Sequence, residues 1–530
     1  MKVLVTGGTG VVGRATVTAL IDRGHTVRLL SRNARRDAAQ WGSSVESWTG
    51  DVAKDDALSG VADGCDAVLH VVGVVHASEE GPSLREINVE GTQRMLREAI
   101  SSGGPRFIFV SSLGADRGQS EYHQSKREAE ALVRDYPGQW MIVRPGNVYG
   151  PGDDEISLLL RMVRTLPVIP VIGGGDEKFQ PIYAGDLGRA LAMTVDRSDL
   201  AGRSLDLAGA EETSQNDLIN RFSKITNRKP ARLGVPEFMT SFGISLAEAT
   251  GVPVPFHQSQ LTMLREGNRI PADQPNALTE VFGITPTALD EGLRVLADAL
   301  PEALPSGGVG KLKRKHFWAD IAGSGHTPET LFALFRDRFA ELTPMTMDLD
   351  AEPDTPKRLE AGATLTMSLP LRGHVQVRVE EVTDRRATLC TLAGHPLAGA
   401  VRFLAEERAD NIRFQVEVYD RPATMLDHLV MRPFGELLQG SSWDHVVQAV
   451  VDASGGRARN GVEHEQSDLD AAQTGFVDEW LRELVMHQRR EASRDGIAPG
   501  KGEGTRTEER AQHERGGASG GSKNESRAEL

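Results

Sequence analysis

The chain has 530 residues, which suggests roughly two to four domains and leaves ample length for a core. It carries 60 basic and 75 acidic residues, a net charge of -15, and no basic stripe interleaved with aromatics, so a nucleic-acid partner is disfavoured. Its two cysteines, Cys65 and Cys390, lie far apart, which argues against a disulfide framework and a cysteine metal site and fits a reducing, cytoplasmic compartment.

Three glycines near the start, Gly7, Gly10 and Gly13, lie between a short apolar run at residues 3–5 and a helical pattern at 14–23. A glycine at such a position allows a tight turn, a close approach to a phosphate, or close packing of helix on strand. The pattern favours a nucleotide site over a purely structural turn. We expect no signal peptide, because the first residues enter a strand directly, and no membrane span.

Strand-like and helical patterns alternate from Met1 to about residue 300. The strand-like runs are DAVLHVVGVV, RFIFVSS and WMIVRP, and the helical runs are NVEGTQRMLREAI and SKREAEALVRDY. This alternation is typical of a doubly wound parallel α/β sheet, with ligands at the carboxyl ends of the strands. We therefore predict an N-terminal Rossmann domain at residues 1–300.

The pattern changes after PEALPSGGVG, residues 301–310, which we predict to be a linker because it is rich in Pro and Gly. Four alternating segments then precede a long helical stretch, which predicts a separate α+β domain at 311–455 with an antiparallel sheet. We expect a helical extension at 456–495. The tail at 496–530 is almost without apolar residues and is predicted to be disordered.

Several motifs arrive in an order that resembles the short-chain dehydrogenase/reductase superfamily. They are TGGTGVVG, GDV at 50–52, NVEGT at 88–92, VSSLGA at 110–115, YHQSK at 122–126 and RPGNVYGPGD at 144–153. The resemblance is to its extended and atypical members of the NAD-dependent epimerase/dehydratase type, and VIPVIGGGDEKFQPIYAGDLGRAL adds a likeness to the 39 kDa accessory subunit of respiratory complex I. It covers about the first 300 residues.

The resemblance implies a catalytic set of Ser112, Tyr122 and Lys126, with Ser111 as the reserve for the serine. In the family, the tyrosine exchanges a proton with the substrate oxygen, the lysine lowers the tyrosine pKa and holds the ribose, and the serine polarises the carbonyl. Tyr122 and Lys126 are one helical turn apart and share a face. The alternative is an ordinary surface pair, since a YxxxK spacing also occurs by chance.

The end of the second predicted strand offers Ser31 and Arg32, with Arg35 and Arg36 beyond, where an acidic residue would favour NAD. This favours NADP(H) over NAD(H), and the alternative is a solvated basic loop. Carried over motif by motif, the resemblance implies a wider set of cofactor-binding residues: Gly7, Thr9, Gly10, Val11, Val12, Gly13, Ser31, Arg32, Asp51, Val52, Val72, Gly73, Asn88, Tyr122, Lys126 and Pro145.

Two histidines, His70 and His76, flank a predicted strand without a carboxylate or cysteine at ligand spacing, so we interpret them as core or surface residues and predict no metal site. Arg144 matches the strand end before the family's substrate loop, and it could equally be a structural ion-pair partner.

The stretch TLAGHPLAGAVRFLAEERADNIRFQVEVYDRPATMLDHLVMRPFGELLQ resembles the DUF1990 family, related to the helix-grip (START-like, SRPBCC) fold. Such folds wrap a sheet around a long helix and leave an apolar cavity, which implies a lipid or quinone as a possible ligand. The tripeptide Gly394, His395, Pro396 could be a functional loop, and a hairpin turn fits it better.

Together these features predict an NAD(P)-dependent oxidoreductase or epimerase acting on a small molecule, fused to a module that binds an apolar ligand. The main alternative is a non-catalytic, nucleotide-bound assembly or regulatory protein, because the complex I-like group includes members without known chemistry. A third is a lipid- or quinone-handling protein that uses the nucleotide only as a redox sensor.

Overall fold

The computed structural model describes residues 1–54, 57–75, 81–235, 268–343, 352, 356–369, 373–425, 427 and 435–494. The chain forms two compact units. The first unit comprises Met1–Leu160, Val168–Ser223 and Pro230–Leu296. The second unit comprises Arg161–Pro167, Lys224–Lys229 and the chain from Ala297 onward.

Strands and helices alternate through the first part of the chain. The strands are Lys2–Thr6 (β1), Thr26–Ser31 (β2), Val45–Thr49 (β3), Ala67–His70 (β4), Arg106–Val110 (β5), Trp140–Pro145 (β6), Val148–Tyr149 (β7), Val168–Ile172 (β8), Ile182–Tyr183 (β9), Arg203–Leu207 (β10) and Ala231–Val235 (β11). The α-helices are Val11–Asp22 (α1), Ala34–Ala38 (α2), Gly91–Ser101 (α3), Glu121–Arg134 (α4), Ile156–Thr165 (α5), Ala184–Thr194 (α6), Gln215–Ile225 (α7), Ala277–Glu280 (α8) and Leu289–Asp298 (α9). Short helical turns lie at Ala39–Ser44, Glu86–Glu90 and Ser198–Leu200.

Strands dominate the later part. They are Lys313–Ala322 (β12), Thr364–Leu369 (β13), Gly373–Val382 (β14), Arg386–Thr391 (β15), Leu397–Arg408 (β16), Asn411–Pro422 (β17), Arg457–Ala458 (β18) and Glu463–Asp468 (β19). The helices are Pro328–Asp337 (α10), Phe339–Leu342 (α11), Gly435–Ala453 (α12) and Ala471–Arg494 (α13), with a short turn at Pro305–Gly307.

A seven-stranded parallel sheet forms the centre of the first unit, in the order β10-β6-β5-β4-β1-β2-β3. Successive side chains of β1 point to opposite faces, so Val3 and Val5 enter one apolar core and Leu4 the other. Both faces are buried, as the continuous apolar runs require. The predicted Rossmann-like doubly wound sheet is confirmed.

The strand order reverses between β1 and β4, since β2 continues the sheet on one side of β1 and β4 on the other. Because the strands are parallel, the loops that follow β1, β4, β5 and β6 lie at the same edge of the sheet. Such a reversal point is where open α/β sheets bind their ligands. The glycine turn and the predicted catalytic residues all fall in or next to these loops.

An antiparallel sheet of eight strands forms the second unit, in the order β13-β14-β15-β16-β17-β12-β18, with β19 also paired to β12. The helix α12 packs on β12 and β17. Phe335 of α10 lies at the centre of the core, with ring centroids 4.9 Å from Phe403 and 5.0 Å from Phe414. The predicted separate domain with an antiparallel sheet is confirmed.

Two local predictions need correction. Residues 301–310 are bonded into the second unit and do not form a free linker, because Ala303 donates its N–H to Thr391 and Val309 donates its N–H to Pro422. The extension predicted as helical at 456–495 is helical only from Ala471, since β18 and β19 pair with β12. The sequence of β19, EHEQSD, is almost wholly exposed and shows no apolar alternation that could have revealed a strand.

The turn at Gly394 connects β15 to β16 and has a positive φ of 96°, and His395 there accepts the N–H of Leu397 at 3.0 Å. This is the turn that the sequence favoured over a functional loop. The predicted tail at 496–530 and His76 lie outside the described residues. Among the described helices, none has both the length and the apolar character needed to cross a membrane.

The phenylalanine core should carry much of the second unit's stability. Phe335→Ala would leave a cavity among four neighbouring rings, so we expect a loss of about 3–5 kcal/mol in the free energy of unfolding. Urea unfolding followed by pulsed hydrogen exchange of peptides from β16 and β17 measures the free energy of unfolding of the second unit alone. The control Phe476→Ala, at a side chain that is 75% exposed, should change the same quantity by less than about 0.5 kcal/mol. Equal losses in the two variants would contradict the assigned core.

Candidate active site

The turn after β1 brings backbone segments so close together that two of its glycines cannot carry a side chain. Gly7 has a φ of +69°, and a Cβ there would lie 2.7 Å from the backbone nitrogen of Val72, after β4. A Cβ on Gly13 would lie 2.1 Å from the carbonyl oxygen of Gly7. Gly10 is less confined, with its nearest contact at 3.6 Å. The first and third glycines therefore set the turn and the helix packing, as the sequence predicted.

The N-terminus of α1 is open to an anion. Its N-cap is Gly10, no side chain caps it, and no acidic residue lies in the first turn. The unpaired N–H groups and the positive end of the helix dipole therefore favour a phosphate here. Together with the close approach at Gly7, this edge fits the diphosphate of a dinucleotide.

A cavity of about 300 Å³ lies beside this helix end, within the first unit. Seven of the predicted site residues line it: Val11, Val12, Gly73, Ser112, Tyr122, Lys126 and Pro145. The predicted catalytic set, drawn from the end of β5 and from α4, thus meets the end of α1 in one cavity.

Lys126 is a buried ammonium, only 3% exposed. Its Nζ donates a hydrogen bond to the carbonyl of Val110 at 3.0 Å and lies 4.9 Å from the centroid of the Phe109 ring. Burial lowers the pKa of Lys126 to about 8, and the carboxylate of Glu130 offsets part of that shift. A Cβ on Gly73 would lie 2.6 Å from Nζ, so a glycine is needed opposite the lysine.

Tyr122 and Ser112 lie side by side in the cavity. Burial raises the pKa of Tyr122 to about 12, and its hydrogen bond with Ser112 offsets part of the shift. Desolvation is the largest cause of this shift, and the effect of Lys126 on the phenolate stays a prediction. Tyr122 therefore carries its proton at neutral pH.

Ser111, the reserve candidate, is engaged elsewhere. Its hydroxyl donates to Glu130 at 2.6 Å, and Arg144 donates to both oxygens of the same carboxylate at 2.7 and 2.6 Å. Burial alone would raise the pKa of Glu130, but the hydrogen bonds from Arg144 and Ser111 hold it below its ordinary value. Arg144 is thus the structural ion-pair partner that the sequence left open.

Asn88, predicted to bind cofactor, holds the loop around Gly73. Its Oδ1 accepts the N–H of Val74 at 3.0 Å, and its Nδ2 donates to the carbonyl of Val74 and to the hydroxyl of Ser125, each at 3.0 Å. It joins the loop after β4 to α4. The amide therefore positions the wall opposite Lys126.

His70 lies in the core below this loop, fully buried. Thr92 donates to the carbonyl of Asn88, so it accepts from His70 Nε2 at 3.2 Å, while Nδ1 of His70 accepts from Thr6 at 2.9 Å. Burial lowers the pKa of His70 to about 3. The imidazole is a neutral part of the core, in line with the sequence interpretation.

An acidic residue that the sequence analysis missed, Asp37, lies beside the end of β2. Asp37 of α2 accepts the hydroxyl of Ser31 and pairs with Arg36, whose nitrogen lies 3.2 Å away. Arg32 is exposed and has no hydrogen-bond partner among the described residues. The remaining predicted cofactor residues, Thr9, Asp51, Val52 and Val72, lie in the loops after β1, β3 and β4 and do not line the cavity.

Several residues of this cavity were not predicted, among them Asp153, Asn147 and Asn268. Asp153 is buried just before α5 and accepts the N–H groups of Ile156 and Ser157 at 2.8 and 2.9 Å, and burial raises its pKa. Asn147 and Asn268 also line the cavity, and their Oδ1 atoms have no hydrogen-bond partner within the described chain. Asn147 stands in the motif RPGNVYGPGD, which offered a signal, whereas nothing in the sequence around Asn268 did.

Comparison with known families agrees with this geometry. Residues 3–208 match the NAD dependent epimerase/dehydratase family. The first unit carries an NAD-dependent epimerase/dehydratase domain. The glycine turn and the open end of α1 fit a nicotinamide dinucleotide. Residues 338–449 match DUF1990, a domain of unknown function, so both parts of the resemblance are confirmed. The link to the helix-grip (SRPBCC) fold and to the complex I subunit stays a prediction.

Similar proteins include reductases. Ceramide reductase of Caulobacter vibrioides is 39% identical over 175 residues, which are 32% of this chain and 53% of that protein. The 2-alkyl-3-oxoalkanoate reductase of Stenotrophomonas maltophilia is 26% identical over 247 residues, 42% of this chain and 74% of that protein. Among solved structures, MoeE5 in complex with UDP-glucose and NAD is 23% identical, covers 55% of this chain and 96% of its own, and has a TM-score of 0.44. The chain thus spans about half the length of the ceramide reductase.

The buried imidazole predicts a specific acid sensitivity. Because the pKa of His70 is about 3 in the folded state and 6.5 ordinarily, the unfolded chain takes up the proton first as the pH falls below 6.5. Between pH 7 and pH 4.5 this group should remove about 2–3 kcal/mol from the free energy of unfolding. His70→Gln should lose correspondingly less stability over that interval, measured by urea unfolding with pulsed hydrogen exchange of β1 and β4 peptides.

His487→Gln is the matched control, since that side chain is 70% exposed and belongs to the second unit. It should leave the acid dependence of β1 and β4 unchanged. If His70→Gln and the unmodified chain lose stability equally on acidification, the assignment of His70 as a neutral core residue is wrong.

Proposed function

We propose that the epimerase/dehydratase domain is an NAD(P)H-dependent oxidoreductase that reduces a ketone of a small molecule to an alcohol. The observation that carries this proposal is the meeting of Ser112, Tyr122 and Lys126 in one cavity next to the open N-terminus of α1. A bound nicotinamide dinucleotide supplies the hydride.

In this proposal each side chain has one task. Tyr122 is protonated at neutral pH, so it delivers its proton to the substrate oxygen as negative charge develops there. Ser112 hydrogen-bonds the same oxygen and holds it beside the phenol. The ammonium of Lys126 stabilises the phenolate that remains, because the two groups share a face of α4.

Both relatives are named as reductases, and one of those names specifies a 3-oxoalkanoate, whose 3-oxo group is a ketone. The cavity is consistent with a substrate that is partly apolar, since Val75 and Val148 line it together with the carboxamides of Asn147 and Asn268. Ketone reduction is therefore preferred here to epimerisation of a sugar nucleotide.

For the cofactor we propose NADP(H) over NAD(H). Arg32 stands exposed at the end of β2, where a guanidinium can pair with a 2′-phosphate. An acidic residue at this strand end, such as Asp37, would favour NAD(H). The carboxylate of Asp37 is, however, already bonded by Ser31 and Arg36. A cytoplasmic location and an apolar ligand for the second unit stay predictions.

Tyr122→Phe tests the chemistry. It removes the proton donor and leaves the ring, so we expect turnover to fall by at least about 100-fold while cofactor affinity stays within about twofold. The assay follows the absorbance of NADPH with 2-alkyl-3-oxoalkanoates and other long-chain ketones as probes. Tyr183→Phe, outside the cavity lining, is the control and should retain turnover.

Normal turnover by Tyr122→Phe would eliminate the assigned proton donor. Binding of NADPH without oxidation by any ketone in the panel would instead favour the non-catalytic, nucleotide-bound alternative.

Arg32→Ala tests the cofactor preference. Loss of the guanidinium should weaken NADPH binding by about tenfold and leave NADH binding nearly unchanged, because only the former carries the 2′-phosphate. Fluorescence titration of both cofactors measures this. Arg203→Ala, an exposed arginine at the opposite end of a parallel strand, is the charge-matched control. Equal NADPH and NADH affinities in the unmodified chain would overturn the NADP assignment.

A further inference from the structure

A row of four polar side chains runs along one face of β14 in the second unit: His374, Gln376, Arg378 and Glu380. All four are buried, with exposures of 8%, 4%, 8% and 5%. The alternate residues Val377 and Val379 enter the phenylalanine core on the other face. Burying such a row is costly unless each member finds a polar partner.

Three members of the row have a polar partner. His374 Nδ1 lies 3.2 Å from Glu352, Gln376 accepts a hydrogen bond at 2.7 Å from Arg164, and Arg378 donates to Glu302 at 2.6 Å. The fourth, Glu380, is incompletely paired, because its Oε1 has no hydrogen-bond partner among the described residues. A partner for one buried carboxyl oxygen is therefore missing from the row.

The backbone is irregular at this position. The register of β14 against β15 shifts between Val379 and Glu381, so Glu380 is the extra residue of a β-bulge. Bulges often redirect a side chain next to a binding site, and they interrupt pairing that would otherwise fill the space.

Glu380 lines a cavity of about 640 Å³ within the second unit. Six carboxyl groups line it, against two arginines: Asp337, Glu360, Glu380, Glu381, Asp384 and Glu491. Both arginines are used, since Arg336 pairs with Asp337 and Arg358 pairs with Glu360. Glu381 pairs with Arg386, and His487 lies 3.7 Å from Glu491. The carboxyl groups that remain favour a positively charged occupant.

The raised pKa of Glu380 shows that its ionised form lacks sufficient stabilisation by positive charge. Burial, and then the neighbouring carboxylate of Glu302, raise the pKa of Glu380 to about 8. Glu302 itself is satisfied by Arg378 and Arg489, so it cannot serve as the partner. A cation beside Glu380 would favour the ionised form and form a charge-assisted hydrogen bond.

We propose that this cavity is a ligand site for an organic amine, whose ammonium group pairs with the carboxylate of Glu380 in the β-bulge. Among the described residues, no three His, Cys, Asp or Glu side chains converge as metal ligands would, which favours an organic cation over a metal ion. The site belongs to the second unit and does not depend on the reductase chemistry.

The test compares two probes of equal length on the full chain by isothermal titration calorimetry at about 0.15 M salt, which screens exposed charges. The probes are 1,5-diaminopentane, with charged ends, and 1,5-pentanediol, with neutral ends. We expect the diamine to bind at least about tenfold more tightly than the diol. Glu380→Gln should weaken diamine binding by about tenfold and leave the diol unaffected.

Asp410→Asn is the matched control, because it removes the same charge from an exposed residue of the same unit that does not line the cavity, and it should change diamine affinity by less than about twofold. Three results would each overturn the proposal: no diamine binding, equal binding of diamine and diol, or equal losses in Glu380→Gln and Asp410→Asn. If Glu380→Gln fails to fold, the comparison of the two probes on the unmodified chain decides.

Discussion

The candidate active site depends on burying one ammonium group. Lys126 is almost wholly removed from water, and its nearest compensation is the carbonyl of Val110 at the end of β5. A charge in that position is tolerated only if its surroundings are fixed, because desolvation costs several kcal/mol when a partner moves away. The loop opposite must therefore contain Gly73, whose missing side chain makes room for Nζ, and Asn88 must hold that loop in place.

This constraint explains why polar residues cluster beneath the cavity. Thr6, His70 and Thr92 form a continuous chain of hydrogen bonds that ends at the carbonyl of Asn88. On the other side, Glu130 is bonded by Ser111 and Arg144 and offsets part of the desolvation of Lys126. Both networks lie largely behind the cavity, and Ser111 of the second network also lines it.

Much of the first unit could be predicted, because its signals are local. Glycine spacing and continuous apolar runs depend on neighbours in sequence, and they identified the turn and the parallel sheet. The residues Ser112, Tyr122 and Lys126 came from the family resemblance. Asp37 was missed although Ser31 lies only six residues away, because the pattern did not show that the side chain turns back to the end of β2. The other failures depend on contacts between distant residues. The polar edge strand β19 is defined only by its pairing with β12, and residues 301–310 bond to the second sheet although Pro and Gly are typical of linkers.

Glu130 and Glu380 show why burial alone does not reveal function. Both carboxyls are almost fully buried, at 1% and 5% exposure. Arginine and hydroxyl donors saturate Glu130 and hold its pKa below the ordinary value, which makes it a structural anion. Among the described residues, Glu380 has no partner for one oxygen, and it lies beside another carboxylate and has a raised pKa. Leaving one oxygen of such a group without a partner costs free energy, which supports the proposed ligand as that partner.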